Sequence, residues 1–190
     1  MSELTTSHPL DHVTSTHKIS NDDAELCISV RKLPALIQLF AKKEHEAELF
    51  KKLNFQTIAG KGAETDRFTA LPIAPRQWIL ISKDEKALDF SRSIAQEIGK
   101  HGYVSEQSDS RVCIRISGKY ARELLSRGCR LDLHPSVASP GFCAQTPIAQ
   151  IGVLLHQVDA LPTYDFYIYS GFAHSFWHWL DDTAKQFGEN

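Results

Sequence analysis

The sequence predicts an α+β fold built from two similar strand-and-helix halves that share a core. Apolar residues recur at period 2 in some stretches, such as Val112, Ile114 and Ile116, and at helical spacing in others, such as Ala173, Phe176, Trp177, Leu180 and Ala184. The two patterns are mixed with hairpin-like strand pairs instead of alternating strictly as β-α-β, which favours α+β over α/β. The order strand, strand, helix, strand, helix in residues 24–102 is followed by a similar grammar over 103–188. A chain of 190 residues with 42% hydrophobic and 23% charged residues suits one domain or two half-domains sharing an interface. At this size about 70% of the unfolded surface is buried.

Residues 1–23, MSELTTSHPLDHVTSTHKISNDD, are rich in Ser, Thr, Asp and His. So few apolar residues cannot offset the entropy of ordering, and the segment reads as a flexible arm, disordered or laid on a partner. LCISVR (26–31) and ALIQLFA (35–41), broken at Pro34, read as two strands with a tight connection. EHEAELFKKLN (44–54) reads as a helix with Ala47, Phe50 and Leu53 on one face. GKGAETD (60–66) reads as a flexible loop. QWILIS (77–82), apolar on both faces from Trp78 to Ile81, reads as a central strand covered on both sides. Ala87, Ser91, Ile94, Ala95 and Ile98 mark the next helix, ended by Gly99 and Gly102.

A short strand from Tyr103 opens the second half. Val112, Ile114 and Ile116 then alternate with Cys113 and Arg115, as in a half-buried strand, and Ser117-Gly118 turns into a helix carrying Tyr120, Ala121, Leu124 and Leu125. Gly128 stops that helix, where a positive φ is often needed. Leu131 and Leu133 alternate with Asp132 and His134 up to Pro135, so the leucines point inward while carboxylate and imidazole point out. IGVLLHQV and TYDFYIY form an antiparallel hairpin across the turn Asp159–Pro162. The closing helix presents Ala173, Phe176, Trp177, Leu180, Ala184 and Phe187 as one apolar stripe.

Net charge −2 and pI near 6.5 give no basic footprint for nucleic acid or an anionic membrane. No apolar run reaches the roughly 20 residues a membrane-spanning helix needs, and the first 23 residues lack the marks of a signal or transit peptide. Cys27, Cys113, Cys129 and Cys143 are scattered without a close pair and read as reduced thiols in a cytoplasm.

Cys129, His134, Cys143 and His156 make one Cys2His2 set, but without a close ligand pair to nucleate a tetrahedron, so no metal site is expected. In HSFWH, His174 and His178 are four apart, yet Ser175 occupies the place of a zinc protease's acid. There is no GxSxG elbow, no P-loop and no GxGxxG, and no catalytic residue is expected. Arg130, Asp132 and His134 form either a contact patch for a neighbouring subunit or a self-contained network that orders its loop. Trp179 lies about 100° off the buried stripe, at 3.6 residues per turn. That puts it at the core's edge, either simply half-buried or as a partner contact.

RGCRLDLHP (127–135) followed by PGFCAQT (140–146) resembles the gamma subunit of heterotetrameric sarcosine oxidase. ALPIAPRQWILIS (70–82), QSDSRVCIRISG (107–118), VLLHQVD (153–159), TYDFYI (163–168) and SFWHWL (175–180) follow in the family's order, and the resemblance runs from Leu26 to Gly188. It implies a small non-catalytic subunit of a cytoplasmic flavoenzyme that oxidises sarcosine to glycine, forms hydrogen peroxide and passes the one-carbon unit to tetrahydrofolate. The expected partners are alpha, beta and delta subunits carrying FAD, FMN and NAD. The family is also similar in fold to part of the folate-binding aminomethyltransferase domain of the glycine-cleavage T-protein. That relation leaves a free-standing folate or aminomethyl-group module as the alternative. No folate-site motif of the T-protein is matched, so no cofactor-binding residue is carried over.

Overall fold

The computed structural model describes residues 9–10, 16–19 and 26–187. Its elements in chain order are β1 (Thr16–Ile19), β2 (Leu26–Arg31), β3 (Leu36–Ala41), α1 (Glu46–Leu53), β4 (Ala63–Glu64), β5 (Phe68–Ala74), β6 (Gln77–Ser82), α2 (Ala87–Ile98), β7 (Gly102–Glu106), β8 (Arg111–Ser117), α3 (Ala121–Ser126), β9 (Cys143–Ile148), β10 (Ile151–Gln157), β11 (Tyr164–Tyr169) and α4 (Ala173–Lys185). They form two antiparallel sheets, ordered β4-β5-β6-β3-β7 and β1-β2-β8-β11-β10-β9.

A strand as apolar as Trp78–Ile81 needs cover on both faces, and β6 has it. Trp78 and Leu80 join Ile37, Leu39, Leu49, Phe90 and Ile94 in a core between the first sheet and helices α1 and α2. Ile79 and Ile81 point the other way and meet Cys113, Cys143, Leu154 and Tyr167 of the second sheet. Beyond that sheet, Ile114, Leu155, Phe166 and Ile168 pack on Leu124 and Leu125 of α3 and on Phe176, Trp177 and Leu180 of α4. The α+β expectation holds as four layers, helix, sheet, sheet, helix. Each fully buried large side chain contributes about 1.5–3 kcal/mol.

Sheet membership crosses the divide expected at residues 102 and 103, because β2 lies in the second sheet and β7 in the first. The four-residue link after β2 therefore carries the chain from one sheet to the other and closes no hairpin. Of the arm expected over 1–23, Leu10 is buried in the core of the second sheet and α4, and β1 pairs with β2 from Thr16↔Ser29 to Ile19↔Leu26. Apart from exposed Pro9, the rest of the arm lies outside the described residues.

Several expectations change with tertiary context. In α1 the buried pair is Leu49 and Leu53, flanked by half-buried Phe50, while Ala47 is exposed; turning leucine inward removes more apolar area from water than turning alanine. In α2 Phe90 joins Ile94 and Ile98, and Ala95 faces out. The stretch before β6 is itself a strand, β5, turned back at Pro75-Arg76 with Arg76 at φ 62. β9 occupies what reads as loop; its Pro147 sits on the sheet edge, where the missing N–H costs no ladder bond. The stretch 60–66 is tied to the second sheet, with the Gly62 N–H donating to the Gly141 carbonyl and the Cys143 N–H to the Gly60 carbonyl (2.8 and 2.9 Å). Gly99 caps α2 at φ 55, as expected.

Gly128 needs a different explanation from the one its sequence suggests. Its φ is not positive. A Cβ there would lie 2.5 Å from the Trp179 ring, so glycine is required by the close approach of α4 to the end of α3. Gly128→Ala should therefore cost about 1–3 kcal/mol by overpacking. Trp177→Ala, which empties a buried site in the same layer, should cost about 3–5 kcal/mol. Urea unfolding of both variants checks this, and Trp179→Leu in the Gly128→Ala background should recover part of the loss.

Candidate functional site

The register of the second sheet sets a row of polar residues across its inner face. Arg115 of β8 faces Asp165 of β11, Asp165 faces His156 of β10, and His156 faces Cys143 of β9. Period 2 sends the neighbours of these residues, among them Ile114, Ile116, Phe166 and Leu155, to the helix-side core. β8 is thus covered on both faces, and its polar-looking side meets the first sheet instead of water.

Asp165 is 2% exposed. Arg115 forks onto it, Nε donating to Oδ1 (2.6 Å) and Nη2 to Oδ2 (2.8 Å), and Arg31 Nη1 donates to Oδ2 at 2.9 Å. Both carboxylate oxygens are engaged, in the bidentate geometry that makes arginine–carboxylate pairs strong. The Asp165 hydrogen bonds raise the Arg115 guanidinium's affinity for its proton. Beside the pair lies a cavity of 370 Å³, lined by Arg31, Glu64, Lys83, Arg115, His156 and Asp165 among others. His156 Nδ1 is buried without a hydrogen-bond partner among the described residues, and burial pushes the imidazole's pKa below its ordinary value of 6.5. Burial also drives the thiol of Cys113 well up and that of Cys143 to about 11, so both stay protonated and unreactive at neutral pH. A second, more apolar cleft of 650 Å³ opens between β5 and β9, lined by Ile58, Ile73, Pro75, Trp78 and Gln145 among others.

The Cys2His2 set is not assembled. Cys143 and His156 are cross-strand partners on the inner face, Cys129 belongs to the helix-side core, and His134 is exposed. Among the described residues, the cluster of three metal-capable side chains is instead His45, Glu48 and His101. The sequence reading missed it because His101 comes from a distant turn; the His45/Glu48 spacing was the legible part.

Arg130, Asp132 and His134 are all exposed, as the alternation predicts, although no strand forms there. Asp132 Oδ1 accepts from the His134 N–H at 2.9 Å. His134 Nδ1 accepts from the Ser136 N–H at 3.3 Å and lies 2.7 Å from Ser136 Oγ, and the His134 carbonyl accepts from the Val137 and Ala138 N–H groups. Asp132 and His134 thus order their own loop. Trp179 is half-buried, with its ring over Gly128 and 5.7 Å from Phe176. That placement puts it beside the start of the Arg130–His134 loop. No helix among the described residues is long and apolar enough to cross a membrane.

A family model described as sarcosine oxidase, gamma subunit family, matches residues 40–186. No curated protein sequence matches the chain. The fold is similar to a chain of the heterotetrameric sarcosine oxidase from Corynebacterium sp. U-96 in complex with pyrrole 2-carboxylate, at 19% identity and a TM-score of 0.85, covering 97% of each chain. It is also similar to the glycine cleavage system aminomethyltransferase T from Bartonella henselae, at 13% identity and a TM-score of 0.58, covering 77% of this chain and 42% of that one. At these identities the structural likenesses establish the fold.

Two outcomes follow from the buried row. Asp165→Asn removes the charge that neutralises two guanidinium groups and should cost about 3–5 kcal/mol, read from urea unfolding. His156 makes stability pH-dependent: its folded pKa lies below 6.5, so as pH falls through that value the unfolded chain takes up a proton that the folded chain refuses. Stability attributable to this group is complete above the unfolded pKa and falls by up to about 1.4 kcal/mol per pH unit until the folded pKa is reached. His156→Gln should flatten that component, measured as the difference in urea midpoint between pH 7.5 and 5.5, both values being about a unit either side of the imidazole's ordinary pKa.

Proposed function

The chain belongs to the sarcosine oxidase, gamma subunit family, and we propose that it is the small, non-catalytic subunit of a heterotetrameric sarcosine oxidase, assembling with alpha-, beta- and delta-type subunits. The enzyme so formed oxidises sarcosine to glycine with formation of hydrogen peroxide and passes the one-carbon unit to tetrahydrofolate. Family membership is the observation that carries this reading. In support, the charged groups of the inner face are turned on one another: Asp165 holds both arginines, and the Cys113 and Cys143 thiols are kept protonated by burial.

In this reading FAD, FMN and NAD sit on the partner subunits, consistent with a sequence lacking GxGxxG and a P-loop. The chain works in the cytoplasm, where its free cysteines remain reduced. Its contribution is the surface it offers, and the contact proposed for a partner is the loop with Arg130, Asp132 and His134, which Asp132 and His134 order from within, together with the Trp179 edge beside it. The folate-module alternative draws on the aminomethyltransferase likeness, yet this chain spans less than half of that protein.

Native purification from cells making active oxidase should recover the chain with larger flavin-bearing partners, and recovery of the chain by itself would refute the subunit reading. Titration of the isolated chain with tetrahydrofolate should show no specific binding. Arg130→Glu should leave the isolated chain's stability within about 0.5 kcal/mol, as for other exposed positions. In the complex it should weaken association by about tenfold or more.

A further inference from the structure

We propose that His45, Glu48 and His101 form a binding site for a divalent transition metal of the zinc class, joining the start of α1 to the turn that ends α2. His45 stands immediately before α1, where its carbonyl accepts from the Leu49 N–H. Glu48 lies in the helix's first turn, three residues on, so both side chains emerge on the same side. His101 ends the turn after α2, and its carbonyl accepts from the Lys42 N–H at 2.9 Å, which fixes that turn against the approach to α1.

The three donor atoms converge. Glu48 Oε2 is 2.8 Å from His101 Nδ1 and 3.3 Å from His45 Nδ1, and the two Nδ1 atoms are 3.1 Å apart. Ligands about 2.0–2.1 Å from a tetrahedral zinc lie about 3.3 Å from one another. The observed triangle is therefore close to one face of such a tetrahedron. Two nitrogens and one carboxylate oxygen form the donor type that holds zinc with a fourth position open.

Without a cation the three atoms are held by hydrogen bonds alone, with imidazole N–H groups turned on the single Glu48 Oε2. An ion accepts all three lone-pair donors at once. His101 is nearly covered, with its side chain 14% exposed, whereas Glu48 is 58% exposed, so the ion is held at the surface with its open side toward solvent. Hydrogen bonding from His45 holds the Glu48 carboxyl below its ordinary range, and Lys100 acts on it in the same direction. The ion would join residues 56 apart in sequence and hold the two helices of the outer layer together.

The test uses the full chain, stripped with chelator and titrated with zinc and with cobalt(II). Expected are one ion bound per chain, a tetrahedral-type cobalt absorption spectrum and a rise in melting temperature with zinc. His101→Ala and Glu48→Gln should each weaken binding by about 100-fold, at or beyond the loss seen when outer-shell partners are removed. His174→Ala should change nothing. It tests the other paired histidines, His174 and His178, whose rings stack edge-on at 4.4 Å. If His101→Ala does not fold, Glu48→Gln and His45→Gln carry the comparison. Absence of saturable binding, or unchanged affinity in Glu48→Gln, would reduce the cluster to a hydrogen-bonded contact; loss of binding in His174→Ala would move the site elsewhere. Either result overturns the proposal.

Discussion

Asp165 is the constraint on which the register of the second sheet depends. An ionised carboxylate taken out of water must be paired and hydrogen-bonded or it does not stay folded, and both of its oxygens are held by Arg115 and Arg31. The three residues come from β11, β8 and β2, so the pairing exists only when these strands are in one register. A slip of one residue would send Asp165 into the layer of Phe166 and Phe176 and turn Phe166 to the opposite face. Against an apolar replacement such a buried ion pair adds little net stability. What it does is make every other register expensive.

The outer layers are set by shape. Apolar stripes on α2 and α4 bury Phe90, Ile94 and Ile98 on one side of the molecule and Phe176, Trp177 and Leu180 on the other. The short helix α3 could not hold its place through its own backbone, since an isolated turn and a half is unstable in water. It is fixed by Leu124 and Leu125 beneath and by the Trp179 ring against Gly128. That contact also delivers the Arg130–His134 loop to the surface, where Asp132 shapes it as a side-chain-capped turn. The surface proposed as a partner contact is thus built on the packing of the second core.

Burial sets the chemistry of the layer between the sheets. Burial keeps the Cys113 and Cys143 thiols protonated and the His156 imidazole neutral. These residues occupy the layer between the sheets, where strand pairing holds the backbone rigid. The convergence of His45, Glu48 and His101 lies in the outer helix layer instead, on elements that the first sheet brings together.

By itself the sequence determined the elements whose periodicity is local: the closing helix, the hairpin of β10 and β11, the two-faced strand β6, and the motifs that mark the family. Such patterns are legible because each reports how one element divides its faces between core and solvent. Tertiary structure decided what depends on a second layer. The alternation in β8 reads as half-buried until the other sheet covers Cys113 and Arg115. Gly128 reads as a helix stop until the Trp179 ring is seen against it. β2 and β3 read as neighbours, although the chain passes between sheets at Pro34. The partnership of Arg115 with Asp165 and of His45 with His101 joins residues 50 and 56 apart. No local pattern encodes such a separation, because only the packing of the sheets and helices brings those atoms within reach.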